Sequence, residues 1–186
     1  MKTKIMWQKF IDWTFNGRQN FVEYKPIQVF IETKLFTLRK AEMDDISDLL
    51  KIEREVYAGQ TPWDRSAFVR EIGQRRGSLY LILENSKEIV AFIGLNWNRE
   101  EAHITNFAVL TKYQQQGIGR WLLNYAVEYT NKLSVSKLTL EVSVENQVAI
   151  HLYHAVGFQD GRIMKFYYSF NNGGDAMNME LDLRRN

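Results

Sequence analysis

The sequence predicts a mixed α/β domain, one sheet with helices on both of its faces. Three observations carry that expectation. Short apolar runs separated by turn signals dominate the first half, strand and helix periodicities then alternate, and a glycine-containing turn joins a strand directly to an amphipathic helix.

FTLRKA from Phe36 reads as a strand. MDDISDLLKIEREVY follows, with Ile46, Leu49, Leu50 and Val56 at helical spacing and Asp44 and Asp45 favourable in the first turn. In TPWDRSAFVREI, Asp64 is placed to cap a second helix while Trp63 and Phe68 form a hydrophobic staple. SLYLIL and EIVAFIGLNW, separated by ENSK, read as a hairpin, and HITNFAVL is a fourth strand. After the stretch YQQQGIGR, Ile118, Trp121, Leu122, Tyr125, Ala126 and Tyr129 mark one helix face. KLTLEVS alternates, with Leu138, Leu140 and Val142 on one face and Thr139, Glu141 and Ser143 on the other. ENQVAIHLYHAVGF is a helix stopped by Gly157, and RIMKFYYSF, the loop NNGGD and AMNMELDL close the chain as a hairpin.

The chain has 186 residues, enough for one domain with a substantial core. A net charge of +2 is too small to imply nucleic acid as an obligate partner. The absence of cysteine excludes disulfides, thiolate metal sites and a cysteine nucleophile, and it suits a reducing cytoplasm. His103, His151 and His154 are too scattered for a metal site, so no metal is expected. No apolar run is long enough to span a membrane.

Residues 1–35 stand apart from 36–186 and read as a leader. They carry six Lys/Arg against three Asp/Glu and predict a helix at about 3–15 followed by an extended piece. Lys9 and Asp12 interrupt what would be the apolar core of a secretion signal. Trp7, Phe10, Ile11 and Trp13 suit docking on the domain or an oligomer contact, the alternative being a membrane surface.

The glycine stretch carries the functional signal. Helix N-terminal N–H groups and the helix dipole favour anions at such a turn. Neither the Walker pattern nor the dinucleotide GxGxxG fits: the third glycine would fall at Leu122. Gln114, Gly117 and Gly119, in Q-x-x-G-x-G between a strand and a helix, resemble the acyl-CoA loop of the GNAT superfamily of N-acetyltransferases. The resemblance is greatest to the ribosomal-protein-alanine N-acetyltransferases, the RimI-like enzymes. It rests on Pro62–Trp63, NFAV at Asn106–Val109, YQQQGIGR, LEV at Leu140–Val142 and N-x-x-A-I-x-L-Y from Asn146 to Tyr153. Gly157–Phe158, Tyr167–Tyr168 and DAMNMEL extend it, so that it spans about residues 36–184.

That resemblance implies the GNAT fold: a mostly antiparallel sheet of about six to seven strands, splayed between the fourth and fifth. It implies acetyl-CoA as cosubstrate, held by the turn Gln114, Gln115, Gln116, Gly117, Ile118, Gly119 and Arg120, with Phe107, Ala108, Val109 and Asn146 along the pantetheine arm. It implies Glu141 as general base and Tyr153 as general acid, and a protein N-terminus, such as that of an alanine-starting ribosomal protein, as acceptor. Trp63, Tyr167 and Tyr168 fall on the implied peptide side. Three departures stand out. Thr111 and Ser169 replace prolines common in the family and Ser143 an arginine, the last two on the peptide side.

The residues alone leave other readings open. The glycines could merely turn the chain, Glu141 could be a solvated strand glutamate, Tyr153 a core residue and Asn146 an N-cap. Chemically, a peptide α-amine with a pKa of about 7.7–8.0 is within reach of a carboxylate base acting through water. A phenol near 10 is a weaker acid than a thiol near 8.5, so protonation of the leaving thiolate must be driven by bond cleavage. With no cysteine to carry the acetyl group, direct attack in a ternary complex is expected. Other acceptors in view are a small amine or a lysine side chain, and a different class is a non-catalytic acyl-CoA-binding module.

Overall fold

The structure is a computed structural model that describes residues 24–57, 59, 62–74, 76–86, 88–168 and 174–185. The leader helix expected at about 3–15 and most of the loop from Ser169 lie outside the described residues. Eight strands form one sheet in the order β1-β2-β3-β4-β5-β6-β8-β7. They are β1 (Ile27–Ile31), β2 (Lys34–Lys40), β3 (Ser78–Asn85), β4 (Glu88–Trp97), β5 (Glu101–Val109), β6 (Lys137–Ser143), β7 (Gln159–Tyr168) and β8 (Gly174–Asp182). The helices are α1 (Ile46–Val56), α2 (Arg65–Gly73), α3 (Ile118–Asn131) and α4 (Gln147–Val156). Eight strands exceed the six to seven expected. The additional one is β1, which pairs with β2 from Ile27↔Leu38 to Ile31↔Lys34.

The described residues divide into two compact units, one of 24–95 with 105–126 and one of 96–104 with 127–185. In the first, α1 buries Ile46, Leu49, Ile52 and Glu53, one face at helical spacing. The Asp64 side chain accepts from the Ala67 N–H at 2.8 Å, and the Trp63 and Phe68 rings meet at 5.4 Å, the cap and staple read from the sequence. Phe68 also packs edge-on to Tyr80 and Phe92, with centroids 5.9 and 6.0 Å away. The core there joins Ile46, Leu49, Ile52, Phe68, Tyr80, Ile82, Phe92 and Ala108.

In the second unit, β6 pairs in parallel with β5 at its first three residues, Lys137, Leu138 and Thr139 opposite Glu101, Ala102 and His103. On its other side it runs antiparallel to β8 along its whole length, with Glu141 opposite Asn178. Gly157 ends α4 at φ 110°, a left-handed value that glycine adopts at least cost. No helix among the described residues is long and apolar enough to cross a membrane.

Candidate active site

Two groups of residues carry chemistry, one in each unit. The first is the turn after β5. Gln114 Nε2 donates to the Val109 carbonyl at 2.9 Å, and Gln116 Nε2 donates to the Lys112 carbonyl at 2.8 Å, so both amides brace the backbone. Gln115 and Gly117 take left-handed φ values of 58° and 77°. Such values turn neighbouring N–H groups into an anion-binding concavity, and the N-terminus of α3 follows at once. Arg120 is exposed on the first turn of that helix. Lys34 Nζ reaches Gln116 Oε1 at 2.8 Å from the start of β2. With Ile31, Glu32 and Phe36 it borders a cavity of about 290 Å³ against Gln115–Ile118. Upstream, Ala108 and Val109 are buried and Phe107 is half-buried.

The second group surrounds Glu141. Its Oε2 lies 3.0 Å from His103 Nε2, and Asn178 Nδ2 reaches Oε1 at 3.4 Å. The Tyr167 hydroxyl also donates to this carboxylate. Tyr167 arrives there by an irregularity: β7 slips against β8 between Met164 and Tyr168, and Phe166 takes φ 54°. The Asp175 carboxylate accepts from the Phe166 N–H at 3.1 Å and holds that bulge.

Burial works to raise the Glu141 pKa, but the His103 hydrogen bond and charge, then Asn178 and Tyr167, hold it below the usual glutamate value. Burial and the facing Glu141 carboxylate push the Tyr167 phenol well up, so it stays protonated and keeps donating. The arrangement is an ionised, half-buried carboxylate with fixed orientation. Tyr153 is buried at 7% exposure, its ring 5.9 Å from that of Phe158. Asn146 caps α4, its Oδ1 accepting from the Ala149 N–H at 3.1 Å.

A family profile for the acetyltransferase (GNAT) family matches residues 43–158. The chain belongs to the GNAT family. The ribosomal protein bS18-alanine N-acetyltransferase of Escherichia coli (strain K12) is 33% identical over 148 residues, covering 79% of this chain and 97% of that relative. The N-alpha-acetyltransferase of Saccharolobus solfataricus is 29% identical, covering 76% and 89%. The crystal structure of the ribosomal-protein-S18-alanine N-acetyltransferase from Escherichia coli aligns with a TM-score of 0.71 at 32% identity, over 80% of this chain and 94% of that one. This GNAT chain is therefore an acetyl-CoA-dependent N-acetyltransferase. The turn fits a pyrophosphate: it offers backbone N–H groups in left-handed geometry, a helix N-terminus and exposed cations.

Sequence reasoning missed three members of the Glu141 group: His103, Thr139 and Asn178. It also missed Glu53 in the other unit, fully buried on α1. Glu53 accepts from the Trp63 N–H at 3.0 Å and from Asn106 Nδ2 at 2.8 Å. Trp63, read as a peptide contact, packs its ring on Phe68 and Tyr80.

Proposed function

We propose that this N-acetyltransferase modifies the N-terminal α-amine of a protein, an alanine-starting ribosomal protein in the cytoplasm, with Glu141 as general base. The observation that carries the reading is the convergence of His103, Asn178 and Tyr167 on the Glu141 carboxylate. The relatives of known name at 32–33% identity support the acceptor class.

Bound acetyl-CoA supplies an acetyl thioester whose acetyl group passes to the amine. The backbone of Gln114–Gly119, with Arg120, would bind the pyrophosphate, and Phe107–Val109 and Asn146 would hold the pantetheine arm, with the β5 backbone supplying an N–H donor for the thioester carbonyl. Glu141 takes the proton from the attacking amine through water. Its low pKa is no obstacle, because the nitrogen becomes strongly acidic once its lone pair enters the new C–N bond. Tyr153 donates its hydroxyl proton to the departing sulfur. Tyr167 and Tyr168 orient the peptide backbone, with Tyr167 also bonded to the base.

Mass spectrometry of peptides incubated with acetyl-CoA tests this. An alanine-starting peptide is expected to gain one acetyl group at its α-amine, and its N-terminally blocked counterpart bearing a lysine is expected to gain none. Equal transfer to lysine side chains or to a free polyamine would move the acceptor to another class. No transfer to any amine, with acetyl-CoA still bound, would make the chain a binding module.

A further inference from the structure

The geometry points to His103 as the positioning residue for Glu141, holding the carboxylate in its working orientation through Nε2 while Thr139 holds the ring. This rests on the reading of Glu141 as the base. His103 sits on β5 with only 7% exposure, and its two ring nitrogens meet two residues of β6 that lie on one face. Nδ1 lies 2.8 Å from Thr139 Oγ1, and Nε2 lies 3.0 Å from Glu141 Oε2.

Proton counting shows why this is a working arrangement. Thr139 Oγ1 also lies 3.3 Å from the Ala102 carbonyl, so its hydroxyl proton has two acceptors, that carbonyl and Nδ1. If the hydroxyl donates to Nδ1, the ring is neutral and its only proton is on Nε2, pointing at Glu141. If the hydroxyl donates to Ala102, Nδ1 carries a proton to Thr139. A second one then lies between Nε2 and Oε2, because two lone pairs do not face one another at 3.0 Å. Either way one proton bridges His103 and Glu141. The carboxylate is pinned at Oε2, which fixes the direction in which Oε1 presents its lone pairs. Asn178 of β8 and Tyr167 of β7 are the other groups facing that carboxylate. Glu141 alone, on a strand with rotatable χ angles, would have no such fixed aim.

A kinetic double-mutant cycle over His103→Phe and Glu141→Gln tests this on an alanine-starting peptide, with acetyl-CoA affinity followed by calorimetry. In the wild-type background His103→Phe is expected to lower kcat roughly 10- to 100-fold with acetyl-CoA Kd unchanged. In the Glu141→Gln background the same change is expected to cost less than about twofold, since its effect runs through the missing carboxylate. His103→Gln, which keeps an N–H donor, is expected to recover most of the loss, and it keeps the test usable if Phe is not accommodated. Equal losses in both backgrounds, or an unaltered kcat in His103→Phe, would overturn the positioning role while leaving Glu141 as base. A fully active Glu141→Gln would overturn the base reading, and this inference with it.

Discussion

Asn106 Nδ2 donates to Glu53 Oε1 over 2.8 Å, joining β5 to the buried face of α1. Burial raises the Glu53 pKa to about 7, more than its hydrogen bonds from Asn106 and the Trp63 N–H lower it. A raised carboxyl pKa means that the folded protein holds this proton more tightly than the unfolded chain. Its stability contribution is therefore full below the unfolded value of about 4.3. It declines as pH rises, up to about pH 7. The decline amounts to about 4 kcal/mol at most. Glu53→Gln is expected to remove this dependence and to stabilise the protein above pH 7, by about 1–2 kcal/mol after the amide re-pairs with Asn106. Urea titrations at several pH values check it, and parallel pH profiles for variant and wild type would contradict it.

Gly94 of β4 marks a close approach. A Cβ there would lie 2.5 Å from Thr105 Oγ1 and 2.7 Å from the Tyr80 ring. Tyr80 is fully buried among aromatic neighbours and has no room to retreat. Gly94→Ala is expected to destabilise by about 1–3 kcal/mol, read as a lower urea midpoint with unchanged m.

At Gly117 the constraint is conformational rather than steric. A Cβ would meet Glu32 Oε1 at 3.6 Å and Ile31 Cγ2 at 3.8 Å, ordinary contacts, but φ is 77°. Gly117→Ala is expected to cost about 1–2 kcal/mol of stability. Relaxation of the turn would cost about tenfold or more in acetyl-CoA affinity, or 1.4 kcal/mol. Calorimetric titration showing wild-type affinity would remove the turn from the cofactor site.

Much of this architecture was legible in the sequence because it rests on local patterns. The alternation in KLTLEVS put Leu138, Leu140 and Val142 inside and left Glu141 half-buried on the opposite face. Asp64 and Gly157 bounded their helices as their chemistry dictates. The His103–Glu141 pair was not legible, because it depends on the parallel register of β5 and β6, which no local spacing encodes. The aim of Tyr167 depends on a bulge whose left-handed residue is a phenylalanine, a residue type that gives no turn signal. Glu53 did leave a trace: it stands seven residues after Ile46, on the apolar stripe of its helix.

The pH dependence of Glu141→Gln tests the central claim most directly. With the base removed, kcat near neutral pH is expected to fall by about 10²–10⁴. The deficit should shrink only at high pH, where solvent hydroxide takes the nitrogen proton in place of the carboxylate. Through the α-amine pKa of about 7.7–8.0 variant and wild type gain alike as the free amine loses its proton. Tyr153→Phe, which leaves the base in place, should show a deficit that higher pH does not relieve. Wild-type rates in Glu141→Gln at every pH would contradict the account and return Glu141 to a structural role on β6.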